Sequence, residues 1–410
     1  MIDFTQALRL GTSLPHTTRT RILPLFESYG SVLSKDIIAT RALPPFDNSA
    51  MDGYAILLQD YGKTCICEGS VFAGESAAHL SLKPTHTYKV MTGAMLPHNT
   101  QAVVQFEWTK TEGTKVQIGA SLESAPSITK GQNIRFKGEE IAPDSVLLRK
   151  GKRLDHLDLS ILASQGINKI ESFVPLRIAI FSSGDEVIEP SQRAQPHQIY
   201  NTNATSLYTL LTHRGYECSY GGILQDDKNA LCEKIAHFNE YDVVITSGGA
   251  SVGEADLIKD VLRAQGAKFL FDGINVKPGR HLACAILGQT LIILLPGNPL
   301  ALLLHTHTLV LSFLESLQGS YAFYPKSQTL KLNQDCKLKA GTTHMILGNI
   351  EAADFILYKN GKIGSSSLVH MWQNNAIALC ENTTFLPKGS EIKVIPYNAD
   401  FCDIIEFLNH

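Results

Sequence analysis

With 410 residues, the chain is long enough for roughly two to four domains. Its hydrophobic (44%) and charged (18%) fractions are ordinary for a globular protein, and a formal net charge of −3 gives no electrostatic reason to expect nucleic-acid or anionic-membrane binding. The N-terminus lacks a basic segment followed by an apolar run, and we find no apolar stretch of transmembrane length. The expected location is therefore the cytoplasm.

The first part of the chain is predicted to be helical and then β-rich. Residues 1–40 are expected to be helical, because Ile22, Leu23 and Phe26 follow Ala7 and Leu8 at helical spacing. Consecutive prolines in residues 41–46 end this region as a linker. Short alternating segments separated by Gly, Pro and Asn then predict strands through residues 56–132. The chain is expected to return to the first region through 157–164, which Gly166 ends.

From about residue 173 the pattern becomes repeated strand, loop and helix. Buried strands are predicted at 176–181, 216–223, 242–246, 282–287 and 291–295, with apolar residues at helical spacing between the first three. This alternation predicts a doubly wound, mostly parallel sheet. From residue 325 the pattern is β again, with glycine-containing turns, which indicates a small C-terminal β domain.

Acidic side chains follow the ends of three of the predicted parallel strands. Asp185 and Glu186 follow the first, Asp226 the second, and Asp256 belongs to the loop after the third. Because the carboxyl ends of parallel strands meet at one edge of a sheet, these carboxylates are expected to lie together. Oxygen ligands of this kind suit Mg²⁺. Considered alone, Asp226 and its neighbour Asp227 could instead begin or cap a helix.

The loop between the third strand and its helix is rich in small residues. Ser247, Gly248, Gly249 and Ser251 could bring backbone N–H groups close to a phosphate at a helix N-terminus. The alternative is a tight turn without a ligand. With acids on both flanks, we interpret the loop as part of a metal-assisted anion site.

Other motifs have a functional and a structural interpretation. Lys277 and Arg280 place two cations in one Pro-Gly turn, which suits an oxyanion but could also be a surface turn. His305 and His307 lie two positions apart on a predicted helix and point in different directions, so we interpret them as packing or surface histidines. Cys65 and Cys67 have no second pair with matching spacing, which favours structural thiols over a metal site.

Six motifs carry a family resemblance. They are PPFDNSAMDGYA (44–55), MTGAMLP (91–97), SSGDEV (182–187), TSGGASVGEAD (246–256), KPGR (277–280) and LPGNP (295–299). In this order the set resembles the molybdopterin molybdenumtransferases, the MoeA group that includes the C-terminal domain of gephyrin.

The resemblance implies a multidomain α/β fold and a homodimer. An elongated N-terminal domain (1–46 and 133–172) would be interrupted by a β-rich insertion (47–132). A doubly wound, mostly parallel catalytic domain (173–324) and a C-terminal domain resembling a β-barrel (325–410) would follow. The active site would lie between one subunit's α/β domain and its partner's N-terminal half.

The implied reaction consumes adenylylated molybdopterin and molybdate. Magnesium-assisted cleavage would release AMP and give molybdenum cofactor. Further implied partners are the molybdopterin adenylyltransferase and apo-molybdoenzymes. Metal ligands would be Asp185, Glu186, Asp226 and Asp256. Substrate-binding residues would be Ser247, Gly248, Gly249, Ser251, Lys277, Arg280 and Arg135. Catalytic residues would be Asp52, Thr92, Glu186, Asp226 and Asp256.

The sequence departs from the family pattern at three positions. Glu140 and Arg280 stand where the family has Asp and Lys, and Leu347 stands where it has the Arg of an Arg-Gly pair. The last change removes an anion contact from the C-terminal domain. Asp52 and Thr92, taken without the resemblance, are better explained as turn and strand-end caps.

Two other functions are compatible with parts of the sequence. One is the preceding reaction, adenylylation of molybdopterin, which uses the same type of sheet. It does not account for the N-terminal half or for the segment 251–256. The other is a non-catalytic scaffold of the gephyrin kind, but the chain shows no long linker or fused partner domain that would support it.

Overall fold

The computed structural model describes residues 1–119, 127–248, 257–361 and 367–397. The chain forms two compact units. The first contains Met1–Lys35, Lys150–Asp155 and Lys169–His410, and the second contains Asp36–Arg149 and His156–Asn168. The finer division into four domains stays a prediction.

A six-stranded sheet dominates the second unit. In spatial order its strands are Ala102–Gln105, Gly53–Ile56, His86–Val90, Thr64–Val71, Lys115–Ile118 and Thr109–Glu112. Both faces are covered: Tyr54 and Ile56 pack on one side, and Ala55 packs with Val90 and Val103 on the other. The β-rich prediction for this segment is therefore confirmed.

Shorter elements complete the second unit. Ile37–Ile38 pairs with Val146–Leu148, and Asn48–Ser49 pairs with Ile134–Arg135, both antiparallel. A helix spans His156–Ser164.

The N-terminus is only partly helical. Helix Phe4–Thr12 is capped by Asp3, whose carboxylate accepts a hydrogen bond from the Gln6 N–H at 2.6 Å. Thr20–Pro24 is instead a strand, paired antiparallel with Lys169–Phe173. The helix predicted through Ile22 is therefore wrong, because β-branched residues and the terminal proline favour extended backbone here.

The first unit is built on a mixed six-stranded sheet. In spatial order its strands are Glu217–Leu224, Arg177–Ser183, Val243–Ser247, Thr290–Leu295, Ala283–Leu287 and Lys268–Asp272. The first four strands run parallel, and Ala283–Leu287 is antiparallel to both of its neighbours, Thr290–Leu295 and Lys268–Asp272. Val187–Ile188 and Ile199–Tyr200 form a separate parallel pair.

Helices cover both faces of this sheet. Ile178 and Ile180 pack into a core with helix Thr202–His213 and with the long apolar helix that begins at Pro299. Ala179 and Phe181 point to the opposite face, where helices Lys228–Ala236 and Leu257–Ala264 pack. This alternation confirms the doubly wound, mostly parallel arrangement.

The apolar helix runs from Pro299–His305 through a π-helical turn, Thr306–Val310, to Leu311–Leu317. Over its 19 residues the mean hydropathy is 1.5, so by length and composition it could cross a membrane. The prediction that no apolar stretch reaches this length is therefore wrong. However, 78% of its most apolar window is buried within the protein, as in a core helix.

A closed five-stranded barrel follows the sheet. Its strands are Gln328–Leu332, Thr343–Glu351, Asp354–Leu357, Ala376–Cys380 and Glu391–Pro396. Pairing of the second with the fourth closes the barrel, and Val276–Lys277 adds a parallel edge to the second. Cys336–Lys337 pairs with Phe385–Leu386, and a short helix spans Leu368–Trp372. The predicted barrel-like β structure of the C-terminal region is confirmed, whereas its status as a separate domain stays a prediction.

The cysteines behave as packing residues. All seven in the described ranges are free thiols, and Cys65, Cys284, Cys336 and Cys380 are buried. Burial raises the pKa of the Cys284 thiol to about 12, which keeps it protonated and unreactive at neutral pH.

Candidate functional site

The predicted site residues of the first unit converge on one edge of its sheet. Ser182 pairs with Ser247, and Ser247 pairs with Leu295, so three parallel strands end side by side. The loops that follow these strands, together with the loop at 225–227, lie at the edge where ligands bind in open α/β sheets. This edge carries Asp185, Glu186, Asp226, Ser247 and Gly248. Gly249, Ser251, Glu254 and Asp256 lie outside the described residues.

Three carboxylates interact electrostatically at this edge. Partial burial is the main cause of a raised pKa for Asp226, and the negative charges of Asp185 and Glu186 add to it. All three side chains are exposed. Repulsion of this kind is relieved by a bound cation, so the residues fit a divalent metal ion. No group of three metal-ligating side chains is formed by the described residues alone, and the metal site stays a prediction.

Asp227 has a structural role. Its carboxylate accepts a hydrogen bond from the Ala230 N–H at 2.8 Å and caps helix Lys228–Ala236. Of the two adjacent aspartates, Asp227 thus follows the capping interpretation, whereas Asp226 faces the other acids.

Gly248 begins the predicted anion loop in a conformation that favours glycine. Its φ is +96°, and its N–H donates to the Leu295 carbonyl at 3.0 Å. A Cβ at this position would lie 2.6 Å from Ser183 Oγ and 2.9 Å from the Ser183 carbonyl oxygen. Gly297 closes the other side, since a Cβ there would lie 3.5 Å from Gly248 Cα. A Cβ at 248 would therefore be too close to Ser183, whereas a Cβ at 297 would make only an ordinary van der Waals contact.

Two buried asparagines hold the strand ends together. Asn201 caps helix Thr202–His213 through its side-chain oxygen, which also accepts a hydrogen bond from Ser182 Oγ at 2.9 Å. Asn203 Nδ2 donates to Ser247 Oγ at 3.1 Å and to the Gly297 carbonyl at 2.8 Å. The sequence reasoning missed Asn203, although an Asn-Thr-Asn segment after a strand was a visible signal. These contacts aim the helix N-terminus at the same edge as the glycine loop.

The Lys277–Arg280 turn is held in place by a buried histidine, His305. Gly279 has φ +91°, and its carbonyl oxygen lies 2.6 Å from Nε2 of His305. His305 is fully buried, and burial lowers its pKa to about 4, so the ring is neutral and donates from Nε2. The packing interpretation of this histidine is correct, and it adds a positioning contact. The side chains of Lys277 and Arg280 remain exposed above the turn.

The second unit brings Asp52 and Thr92 together. Asp52 Oδ1 accepts hydrogen bonds from the Thr92 N–H at 2.7 Å and the Thr92 hydroxyl at 2.8 Å. These bonds, with the charge of Lys89, lower the pKa of Asp52. Arg135 is exposed on the strand paired with Asn48–Ser49. The geometry fits both the capping and the catalytic interpretation, so the catalytic role stays a prediction.

Comparison with known proteins gives matches to both halves of this description. Residues 2–166 match the family described as "MoeA N-terminal region (domain I and II)", and residues 179–316 match the "Probable molybdopterin binding domain". A molybdopterin molybdenumtransferase from Haemophilus influenzae is 37% identical over 310 residues, which cover 75% of each chain. The chain belongs to the molybdopterin molybdenumtransferase family.

More distant members extend the similarity along the chain. A molybdopterin molybdenumtransferase from Nostoc is 29% identical over 392 residues, covering 92% of this chain and 88% of the relative. The crystal structure of a molybdopterin biosynthesis MoeA protein from Pyrococcus horikoshii OT3 superposes with a TM-score of 0.81 at 26% identity. It covers 97% of this chain and 100% of that one. Membership of this family places the protein in molybdenum cofactor biosynthesis.

Within this molybdenumtransferase family, the departures have clear structural settings. Leu347 is fully buried in the core shared by the barrel and the sheet, so its side chain faces no ligand. Gly348 beside it permits a close strand contact, because a Cβ there would lie 2.4 Å from the Ile356 carbonyl oxygen. Arg280 and Glu140 are both exposed.

Proposed function

We propose that this molybdenumtransferase inserts molybdate into adenylylated molybdopterin with magnesium-dependent release of AMP, giving molybdenum cofactor. The observation that carries the proposal is the convergence of the Asp226 carboxylate group, the Gly248 backbone and the capped helix at one sheet edge. Cleavage of a phosphoanhydride needs stabilisation of negative charge on phosphate oxygens, and such an edge supplies it.

The acids are assigned to the metal. Asp185, Glu186, Asp226 and Asp256 would hold Mg²⁺, which, when bound, neutralises charge on the phosphate oxygens. The raised pKa of Asp226 supports this assignment, because that carboxylate is destabilised by its neighbours until a cation compensates. Glu186, Asp226 and Asp256 are thus catalytic through the phosphates that they help to position.

The loop and the basic turn are assigned to the substrates. The backbone N–H of Gly249 and the hydroxyls of Ser247 and Ser251 would donate to the phosphate of the pterin or the adenylate. Gly248, whose own N–H is bonded to the Leu295 carbonyl, would bind by letting the phosphate approach the backbone closely. Lys277 and Arg280 would bind molybdate, the former as a point charge and the latter as a planar fork. His305 keeps their turn in place through the Gly279 carbonyl.

The second unit is assigned to the partner's active site. In the proposed homodimer, Asp52, Thr92 and Arg135 of one subunit would complete the site on the α/β domain of the other. The low pKa of Asp52 supports an anionic group there at neutral pH. The protein is expected in the cytoplasm, where the adenylyltransferase would supply its substrate and apo-molybdoenzymes would accept its product.

The deciding experiment measures AMP release from adenylylated molybdopterin. Release should require both molybdate and Mg²⁺, and Asp226→Asn should raise the magnesium requirement. ATP consumption with free molybdopterin would instead identify an adenylyltransferase. Normal cofactor synthesis by Asp256→Ala in cells lacking their own enzyme would point to a scaffold. Sedimentation of the intact protein as a monomer would refute the shared site.

A further inference from the structure

A cationic cleft lies between the Lys277–Arg280 turn and the barrel. Its volume is about 840 Å³. Its lining includes the turn and Asn298 together with Lys337, Lys339 and His344 of the barrel. Among the described residues, no aspartate or glutamate lines it. Leu347 stands where the family has an arginine, so the barrel lacks that cation, and Lys337 and Lys339 are the lysines that it presents to the cleft.

The strand geometry points both barrel lysines outward. Cys336–Lys337 pairs with Phe385–Leu386, and the ladder continues with the Leu338 N–H donating to the Thr384 carbonyl at 2.8 Å. Cys336 is fully buried and Leu338 packs against the barrel core. Because side chains alternate along a strand, Lys337 and Lys339 share the face that borders the cleft.

The backbone that carries these lysines is held in place. His344 is 7% exposed, and its Nε2 lies 3.0 Å from the Lys339 amide nitrogen and 3.1 Å from the Lys339 carbonyl oxygen. His344 is also the ladder partner of Lys277 in the parallel pairing of Val276–Lys277 with Thr343–Glu351. His344 thus contacts the backbone of Lys339 and is paired with Lys277, so one buried residue connects the barrel lining of the cleft with the turn.

The lysine and arginine side chains of the cleft have no ion-pair partner among the described residues. In the part of the chain that the structure describes, Lys277, Arg280, Lys337 and Lys339 form no ion pair, whereas Lys259 and Arg153 do. Four like charges around one cleft repel each other, and a multiply charged anion reverses this penalty. The cleft is therefore complementary to a tetrahedral dianion.

We propose that Lys337 and Lys339 form the second wall of the oxyanion site and, with Lys277 and Arg280, set its affinity for molybdate. This inference rests on the proposed function, which assigns molybdate to the turn. It adds two positive charges from the barrel, Lys337 and Lys339, to a site in which the buried Leu347 supplies none.

The test compares charge-removing variants in the intact protein. Molybdate affinity is measured by titration calorimetry for Lys337→Gln, Lys339→Gln and the double variant, and the KM for molybdate is measured from AMP release. Each single change should weaken binding about threefold and the pair about tenfold or more, with kcat at saturating molybdate nearly unchanged. The matched control is Lys331→Gln, another exposed barrel lysine flanked by inward-facing leucines, which lies outside the cleft.

Conservative replacement separates charge from structure. The double variant K337R/K339R should retain molybdate affinity, and thermal melting of the glutamine variants should match the wild type because both side chains are exposed. Sulfate and inorganic phosphate are titrated alongside molybdate. A loss shared by all three anions supports a wall for tetrahedral dianions in general, and a loss confined to molybdate supports a wall specific to the substrate.

Two outcomes overturn separate statements. If the double glutamine variant binds molybdate like the wild type while Lys277→Gln and Arg280→Gln lose affinity, the second wall is wrong and the proposed function stands. If none of the four changes alters molybdate affinity, molybdate does not bind in this cleft, and both assignments fail.

Discussion

His305 should make the stability of the protein depend on pH in a defined window. Its ring is fully buried, and Nε2 donates to the Gly279 carbonyl at 2.6 Å. Nδ1 is buried without a hydrogen-bond partner, so a second proton there would be charged and unsolvated. Burial accordingly lowers the pKa of His305 from 6.5 to about 4.

The sign of the effect follows from proton binding in the two states. In the unfolded chain, His305 takes up a proton as the pH falls through about 6.5, whereas in the folded protein it stays neutral down to about pH 4. The unfolded state is therefore favoured progressively between these values. Going from pH 7 to pH 5, the free energy of unfolding should fall by about 2 kcal/mol on account of this residue.

The measurement compares wild type with His305→Gln, which keeps an N–H donor but cannot titrate. Urea unfolding of both proteins at pH 5, 6 and 7 should show a shallower loss of stability for the variant, by about 2 kcal/mol over that range. His237→Gln, at an exposed position, is the control and should retain the wild-type slope because it leaves His305 in place. In NMR spectra, the His305 ring should keep its proton on Nε2 at pH 5.5. Parallel slopes for wild type and His305→Gln would refute the reasoning.

Three further predictions concern the proposed site. Gly248→Ala should lower both the melting temperature and the rate of AMP release, because φ +96° costs about 1–3 kcal/mol and the new Cβ would lie 2.6 Å from Ser183 Oγ. Asp226→Asn should raise the magnesium concentration needed for half-maximal AMP release at least about tenfold. In the wild type, the raised pKa of Asp226 predicts that more magnesium is needed as the pH falls. Asp226→Asn should remove this pH dependence. Thr92→Val should raise the pKa of Asp52, followed by carboxyl ¹³C NMR, since the threonine hydroxyl bond helps to lower it.

Each of these has a control. Gly222 has φ +92° but open space around its Cβ position, so Gly222→Ala should show the backbone cost without the loss of AMP release. Asp227→Asn should lower stability through its helix cap and leave the magnesium requirement unchanged. Ser49→Ala, near the Asp52 loop, should leave the Asp52 pKa where it is. If the alanine at 222 inactivates as fully as that at 248, the close contact with Ser183 is not the cause.

Local sequence pattern predicted those strands and helices whose own residues show a clear hydrophobic periodicity. Val243–Ser247 is β-branched and fully buried, and the helix after it has a strong apolar face, so both follow from periodicity. Thr20–Pro24 was misassigned because its apolar spacing also fits a helix, and only the pairing with Lys169–Phe173 decides for a strand. The π-helical turn at Thr306–Val310 likewise depends on packing that no local pattern contains.

The acidic part of the candidate site was predictable because the sheet topology alone brings its residues together. Asp185 and Asp226 meet because parallel strands end at one edge, which needs no knowledge of side-chain contacts. The Asn-Thr-Asn segment marks Asn203 as a residue at the start of a helix, but its contact with Gly297, 94 residues away, depends on the folded structure and was not predicted. Lys337 and Lys339 were missed for a related reason. A lysine on a strand is usually a solvated surface residue, and only the opposing turn makes these two part of a cleft.

The position of the Lys277–Arg280 turn explains why the barrel can take part in the chemistry of the sheet. The chain enters the turn from Val276–Lys277, which is hydrogen-bonded to the barrel strand Thr343–Glu351. It leaves the turn into Ala283–Leu287, an antiparallel strand of the mixed sheet. The turn therefore directly links the barrel and the sheet, and the hydrogen bond from His305 to the Gly279 carbonyl holds it against the helix Pro299–His305. Any displacement of the barrel strand would move Lys277 directly. Leu347, on the same strand, carries no charge where the family has an arginine. Because Lys337 and Lys339 border the same turn, they can supply the missing positive charge without any change at the sheet edge where the acids lie.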